Sequence, residues 1–404
     1  MSQANARVRA VGLAACALAA ALWLGWVAID RHLQQACQWQ QWPYLSSCAD
    51  PARQSAAQQV QALRTQIDAN PGDALSYAAL ATFTQQPQDL AGLDAQAVLA
   101  AARQLAPQNR HVLRLLANQA LAREQWPEAV DALVRLSLLQ GDGDATRALA
   151  ALVGQSARNP AQLAALVAQL KRDSGWLDRV MRSLPGAKVP TAQAMPLVQQ
   201  AMALQLVTPE LGMLLIRQLL AERVWLDAHA IWLHLWNQPL GLLFNGDFEL
   251  DFAKDGFDWN ITGGNTHRAG ARVHQPRMGE RGRLLQVVFN GRAFAQPVLK
   301  QQLVLAPGSY RLSGDYMASN LRSDEGLAWV FVCSAGAREL GRSAALKDTG
   351  GRWEKLSALL TVPPDCGVGV SLSLQTFAAY EGATGLRGEM LFDKLDLHAT
   401  GANP

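Results

Sequence analysis

Arginines are concentrated in one short segment of the chain. Between His267 and Arg292 there are six of them and a single acidic residue, Glu280. A guanidinium group can form two parallel hydrogen bonds to an anionic group, so this segment could hold an acidic polysaccharide or an anionic lipid headgroup. The alternative is that these arginines keep a loop soluble or pair with acidic residues of the segment 247–258. The candidate anion-binding residues are Arg268, Arg272, Arg277 and Arg281.

Acidic residues are also concentrated, and a pair of them could supply the acid and the base of a glycosidase. Five lie between Asp247 and Asp258. They fall at the start of a small predicted domain, and no further domain remains in the chain to form a substrate cleft. The sequence also lacks the nucleophile-elbow, zinc-protease and phosphate-loop motifs. We therefore expect a protein that is not an enzyme.

The cysteines form two local pairs, Cys37 with Cys48 and Cys333 with Cys366. Neither pair has the C-x-x-C spacing of a zinc site, and no histidine lies near them at zinc-finger intervals. We expect a disulfide in each pair, and the alternative is four free thiols. A Cys333–Cys366 bridge would close a loop of about 33 residues, which the chain-entropy model values at about 3–4 kcal/mol. Such bridges require an oxidising compartment.

A segment near the start of the chain would deliver the rest to such a compartment. Ala10 to Ile29 are 20 consecutive uncharged residues, enough for a helix to span the ~30 Å hydrocarbon layer. Two arginines precede them, which places residues 1–9 in the cytoplasm by the positive-inside rule. We predict a single-pass anchor in the inner membrane, a linker at 30–54 and a periplasmic remainder. The alternatives are a cleaved signal peptide and lipidation at Cys16.

Residues 55–239 carry the pattern of amphipathic helices punctuated by proline and asparagine. The sharpest unit runs from Pro107 to Gly141 and resembles a tetratricopeptide repeat, a helical hairpin of about 34 residues. This resemblance implies a right-handed solenoid of about five hairpins whose concave surface binds protein partners. An ordinary helical bundle is the alternative. The positions that carry the pattern are Ala117, Ala120, Trp126, Ala129 and Leu133.

The composition changes after residue 240: 22 of the 32 glycines lie in residues 241–404. Phe248, Leu250 and Phe252 alternate with acidic residues, which predicts a half-buried strand. Six further apolar segments recur between turn signals as far as Leu397. Seven or eight short strands predict an antiparallel sandwich of two sheets over residues 243–398.

Several motifs of this half resemble the jelly-roll carbohydrate-binding modules of the galactose-binding-domain group. They are Asn-Gly-Asp-Phe-Glu at 245–249, Gly-Phe-Asp-Trp at 256–259, the segment 302–312 and the closing segment 391–397. The resemblance covers residues 243–398 and implies a module that associates with glycans. Many relatives of this fold serve instead as structural or protein-binding modules.

In such modules a structural calcium often ties the first strand to the last. Carried over by motif, its side-chain ligands would be Glu249 and Asp393, and Asn245 or Gly246 would offer a backbone oxygen. Hard oxygen ligands of this kind suit calcium. The alternative is that these alternating acidic residues belong to a solvated strand face.

Sugar recognition normally requires an exposed aromatic ring. Trp259 and Trp353 stand in motif positions where the ring more often packs into the core. Trp329 remains a candidate although it lies in the apolar run 327–332. The better candidates are Tyr316 and Tyr380.

The composition fits a folded protein. Half of the residues are hydrophobic and 17% are charged, which excludes a disordered chain. The net charge of +3 gives no support to nucleic-acid binding. We expect a multidomain, non-catalytic, membrane-anchored scaffold whose glycan-associated module serves the assembly or export of an exopolysaccharide or cell-surface polysaccharide. The alternative is a periplasmic scaffold that binds only proteins and whose sandwich binds no sugar.

Overall fold

A computed structural model describes residues 55–83, 94–139, 143–237, 240–261 and 270–400. The predicted membrane segment at 10–29, the linker at 30–54 and Arg268 lie outside these ranges, as do Cys37 and Cys48. Within them, no helix has both the length and the apolar character needed to span a membrane.

The chain divides into two compact units after Arg123. In the described part, the first unit consists of helices that start at side-chain caps. Ser55 and Gln58 form a capping box, and Asn109 accepts hydrogen bonds from two backbone N–H groups of the first turn that follows it. The helices are α1 (Ala56–Ala69), α2 (Ala74–Phe83), α3 (Ala95–Leu105) and α4 (Arg110–Ala122).

The second unit begins with helices and continues into the sandwich. Asn159 and Thr208 cap helices that have proline at their first position, where the missing N–H costs nothing. The prediction of a helical region is confirmed, and its tetratricopeptide character stays a prediction. The helices are α5 (Trp126–Leu138), α6 (Gly143–Ser156), α7 (Pro160–Arg172), α8 (Leu177–Ser183), α9 (Thr191–Ala203), α10 (Pro209–Ala221) and α11 (Trp225–Trp236).

Two five-stranded antiparallel sheets follow, which confirms the predicted sandwich. The first sheet has the order β1–β4–β9–β6–β7 and the second has the order β2–β3–β10–β5–β8. A short helix, α12 (Ala379–Thr384), joins β9 to β10. The strands are β1 (Asn260–Ile261), β2 (Ala271–His274), β3 (Leu285–Asn290), β4 (Leu299–Val304), β5 (Gly308–Arg322), β6 (Leu327–Cys333), β7 (Glu339–Arg342), β8 (Trp353–Val362), β9 (Gly369–Thr376) and β10 (Arg387–Ala399).

The core between the sheets is aromatic at its centre. The ring of Trp329 lies 5.6 Å from that of Trp259 and 5.3 Å from that of Phe392. The predicted disulfide between Cys333 and Cys366 is present at the edge of this core. It joins the end of β6 to the turn before β9.

The strand predicted around Phe248 was wrong. Residues 243–252 contain no strand, residues 244–247 form a turn, and Phe248 has a left-handed backbone (φ 59°) with a fully buried ring. The Asn245 side chain both donates to the carbonyl oxygen of Leu250 and accepts from its N–H. The Asn245 side chain thus makes the two backbone hydrogen bonds that a partner strand would otherwise make. The apolar residues alternate here in a segment that is not a strand.

Helix α11 packs directly against the sandwich within the second unit. A Cβ atom at Gly369 would overlap the ring of Trp225. The ring of Trp232 packs edge-on against Phe244 at 5.1 Å. Arg217 of α10 forms an ion pair of 2.6 Å with Asp255.

Candidate functional site

One end of the sandwich is built by loops that a buried carboxylate holds together. Glu381 of α12 is buried, and its Oε1 accepts hydrogen bonds from the Ser323 hydroxyl and the Asp324 N–H, both at 2.7 Å. The Phe377 N–H donates to the carbonyl oxygen of Gly326 at 2.7 Å. These bonds fix the turn 323–326 against the segment 377–384, and we call the two segments together the loop end.

The loop that precedes β4 also contacts the loop end. The Gln296 side chain donates to the Thr376 hydroxyl and accepts from its N–H at 3.1 Å. The Phe294 N–H donates to the carbonyl oxygen of Gly382 at 2.9 Å. A Cβ atom at Gly382 would overlap the Gln296 amide, so only glycine allows this approach.

The loop end exposes two aromatic rings. Tyr380 is 53% exposed and Phe377 is 36% exposed. The Tyr380 Oη lies 3.4 Å from Asp324 Oδ2, and the Arg342 guanidinium lies 5.2 Å from the centre of the Phe377 ring. Partial loss of hydration and the nearby negative charges raise the pKa of Tyr380, so its hydroxyl stays protonated at neutral pH. The loop end thus combines apolar ring faces with hydrogen-bond donors and acceptors.

The outer face of the second sheet carries a different arrangement. Asp315 of β5 and Asp393 of β10 are cross-strand neighbours. Nη1 of Arg281 lies 3.1 Å from Asp315 Oδ2 and 2.7 Å from Asp393 Oδ2. Lys355 adds an ion pair of 2.5 Å with Asp315. Burial favours the neutral form of Asp315, but the bonds and charges of Lys355 and Arg281 outweigh it and lower the pKa.

The same arginine covers an aromatic ring. The guanidinium carbon of Arg281 lies 4.0 Å from the centre of the Trp353 ring, which is half-buried. Leu356 and Leu360 of β8 face the core, and Trp353 has the opposite parity along the strand, so its ring points out of the sandwich. The motif-based expectation that Trp353 packs into the core was therefore wrong. Its outward face is nevertheless occupied by the cation.

The three predicted sugar-binding residues have different positions. Tyr380 is exposed at the loop end. Tyr316 is buried, its hydroxyl donates to Glu354, and burial together with that carboxylate raises its pKa to about 12. Trp329 is fully buried, and neither of these two buried rings can stack on a sugar. Phe377 and Arg342 were not selected from the sequence. One signal existed for Phe377: it lies two residues after Gln375, whose side chain faces outward from β9, so alternation places Phe377 on the same side.

The three described candidates for anion binding have different surroundings. Arg281 is paired with two carboxylates, Arg272 lies on β2, and the backbone of Arg277 forms a β-bridge with that of Arg283. The Arg283 side chain pairs with Asp251 of the segment 247–258, as the alternative expects. The anion-binding site stays a prediction.

The predicted calcium ligands are engaged with groups of the protein. Arg281 donates to Asp393, and the Arg283 N–H donates to Glu249 at 2.8 Å. The carbonyl oxygen of Asn245 accepts from Trp259 Nε1 at 3.0 Å, and that of Gly246 accepts from the Leu395 N–H at 2.9 Å. Among the described residues, no group of three or more His, Cys, Asp or Glu side chains is placed to hold a metal ion. Arg281 bonds to Oδ2 of Asp393, so an ion bound through that oxygen would compete with the guanidinium group. The calcium site stays a prediction.

The acidic segment 247–258 is dispersed as well. Asp255 pairs with Arg217, and Asp251 pairs with Arg283. Asp258 is buried, and burial raises the pKa of its carboxyl group above the ordinary value. Its Oδ2 accepts a hydrogen bond from the Ala253 N–H. Each of these three carboxylates therefore has a structural contact of its own.

Comparisons with known proteins concern the fold. No protein-family model matches the chain, and no curated protein matches it significantly. Its C-terminal part resembles the β-sandwich folds of carbohydrate-binding modules. One solved structure is a family 4 module (CBM4), with 17% identity and a TM-score of 0.31, covering 39% of this chain and 99% of that one.

Two further structures are similar. A putative sugar binding protein from Bacteroides thetaiotaomicron has 10% identity and a TM-score of 0.29, covering 40% of this chain and 100% of that one. A family 61 module in complex with β-1,4-galactotriose has 15% identity and a TM-score of 0.27, with the same two coverages. The galactotriose is a ligand of that module.

Proposed function

We propose that the sandwich binds a glycan at the loop end, and that the protein is a non-catalytic scaffold that holds this glycan near a membrane. The observation that carries the proposal is the exposure of Tyr380, 53% of its surface, on a segment that the buried Glu381 fixes. An exposed ring on a fixed loop is a surface that can bind without first rearranging.

The side chains of the loop end match the chemistry of a sugar. A pyranose presents a face of C–H groups that is edged by hydroxyl groups. The rings of Tyr380 and Phe377 offer apolar faces to the C–H groups. Asp324 accepts hydrogen bonds from hydroxyl groups. Arg342 of the neighbouring β7 is bonded to Glu339 and donates to them through its remaining N–H groups.

We place this activity in the assembly or export of an exopolysaccharide or cell-surface polysaccharide. The uncharged segment 10–29 supports an anchor in the inner membrane, with the sandwich in the periplasm. The disulfide between Cys333 and Cys366 is typical of an exported protein. In this scheme the helices bind protein partners of the assembly system.

Affinity electrophoresis of the full-length chain, in mild detergent, tests the sugar-binding step. We expect at least one neutral polysaccharide in the gel to retard the protein. The variant Tyr380→Ala should migrate as it does without polysaccharide, because the exposed ring is lost and no core contact is removed. Leu359→Ala is the matched control, since Leu359 is equally exposed on β8.

Unretarded migration in every neutral and acidic polysaccharide gel would remove the sugar-binding proposal. It would favour the scaffold whose sandwich contacts only proteins. Equal retardation of the wild-type protein and Tyr380→Ala would show that a glycan binds elsewhere than at the loop end.

A further inference from the structure

A groove lies within the second unit, where helices α8, α10 and α11 meet the first loop of the sandwich. Its volume is about 620 Å³, which falls in the range of about 300–1,000 Å³ typical of small-molecule sites. Among the residues considered for a function from the sequence, Asp255 of the acidic segment 247–258 lines it. Its apolar lining includes Met213, Trp232, Leu235 and Trp236.

Aromatic packing holds the groove open in one shape. The ring of Trp236 lies 4.7 Å from that of Phe244 and 5.7 Å from that of Trp232. Gly256, with φ +62°, leaves the space that the Trp232 ring fills. Trp232 is buried, whereas Trp236 is only half-buried. Part of the Trp236 ring is therefore left for a ligand.

Four charged side chains complete the lining, and their charges cancel. They are Arg182, Glu210, Arg217 and Asp255. Both arginines already have a carboxylate partner. Arg217 pairs with Asp255 at 2.6 Å, and Arg182 bonds twice to Asp178, at 2.7 and 2.9 Å.

This balance restricts the chemistry of a ligand. Glu210, exposed in the first turn of α10, is the lining carboxylate that neither of these pairs uses, so an anionic ligand would meet no unmatched positive charge and would lose water without compensation. A wholly apolar ligand would remove water from four charged groups and return no hydrogen bonds. A polyhydroxylated ring avoids both costs, because each hydroxyl group donates and accepts while the C–H face is apolar.

We propose that this groove binds a short stretch of neutral glycan, with a sugar ring on the exposed part of Trp236. Its hydroxyl groups bond to Glu210 and Asp255 as acceptors and to the two guanidinium groups as donors. The choice of a glycan rests on the proposed function, but the groove shares no residue with the loop end. The second unit thus has two separate sugar sites, one on the sandwich and one at its junction with the helices.

Isothermal titration calorimetry of the full-length chain in mild detergent tests this inference. The probes are neutral gluco-, galacto-, xylo- and manno-oligosaccharides. We expect the oligosaccharide that binds best to fill two sites. Trp236→Ala should weaken the groove site by at least about tenfold, which is about 1.4 kcal/mol. Glu210→Gln should weaken the same site while it leaves the aromatic packing unchanged, so it decides the question if Trp236→Ala fails to fold.

Tyr380→Ala separates the inference from the proposed function, since it should remove only the loop-end site. Two sites that respond to neither Trp236→Ala nor Glu210→Gln would overturn the inference. A single site that only Tyr380→Ala removes would also overturn it, with the proposed function intact. A single site that Trp236→Ala removes and Tyr380→Ala does not would support the groove and overturn the loop end. No binding of any oligosaccharide would overturn both.

Discussion

The loop end and the outer face of the second sheet are built from the same kinds of groups, but only one of them is open. Each has a buried carboxylate and an aromatic ring close to an arginine, which for the loop end is Arg342 of the neighbouring β7, 5.2 Å from the centre of the Phe377 ring. At the loop end, Tyr380 is exposed. On the outer face, Arg281 lies over Trp353 at 4.0 Å.

The difference lies in how each buried carboxylate obtains its partners. Glu381 accepts from a hydroxyl and from backbone N–H groups of the turn 323–326. Asp393 belongs to a strand and takes its hydrogen bond from Arg281. Glu381 thus bonds through Oε1 to groups of a neighbouring turn, and Tyr380 beside it stays exposed, whereas Asp393 bonds to the same arginine that covers the Trp353 ring.

The largest effect is expected from breaking the buried charge pair of the outer face. Asp393→Ala should lower the free energy of unfolding by about 3 kcal/mol, because Arg281 loses the nearer of its two carboxylate partners. Chemical denaturation measures this change. Asp396→Ala is the control, since Asp396 is exposed on the same strand and should change stability by less than about 0.5 kcal/mol. Equal stability of both variants would contradict the comparison.

A smaller effect is expected at the loop end. Glu381→Ala should lower the free energy of unfolding by about 2 kcal/mol, because the turn 323–326 loses the acceptor of its hydrogen bonds. It should also reduce retardation by a polysaccharide that binds the wild-type protein, since Tyr380 is no longer held beside Asp324. Glu381→Gln keeps one acceptor oxygen and should retain part of both properties. Full retardation of Glu381→Ala would show that the clamp does not position the ring.

Acid should weaken the outer face through Asp315. Its folded-state pKa lies below the ordinary value of 3.8, so its stabilising effect is complete above that value and is lost as the pH falls through the lower, folded-state pKa. Unfolding measured between pH 5 and pH 2.5, in the wild-type protein and in Asp315→Asn, should show a steeper loss in the wild-type protein below about pH 3.8. Parallel curves would contradict this assignment.

The smallest effect is expected from calcium. Because Arg281 occupies Asp393, adding calcium or a chelator should shift the melting temperature by less than about 1 °C, which is well below 1 kcal/mol for a domain of this size. Differential scanning calorimetry measures the shift. A rise of several degrees with calcium would show that the ion displaces Arg281 and that the predicted site exists.

The sequence predicts the sandwich well where strands have ordinary neighbours. Alternation in β8 buries Leu356, Ala358 and Leu360 on one side. The same alternation predicts a strand wrongly at residues 247–252. There the Asn245 side chain makes the hydrogen bonds of a partner strand, and the apolar residues keep the spacing of a strand.

The site is less predictable for a different reason. Tyr380 was recognised as a candidate, but its exposure depends on how Glu381 holds a turn 57 residues earlier, at Asp324. The partners of Arg281 lie 34 and 112 residues away from it. Contacts between residues so distant in the chain leave no local pattern of residue types.

Trp225 also bears on where the chain can be divided. Its ring lies on β9 at Gly369, and Trp232 covers Phe244. A fragment that began at Leu243 would lack Trp225 and Trp232. It would expose β9 at Gly369 and the ring of Phe244, and such fragments would associate with one another. A mechanical force applied to a glycan bound by the sandwich would likewise be transmitted to α11 through these ring contacts. The sandwich and the last helical hairpin would therefore resist that force as one body.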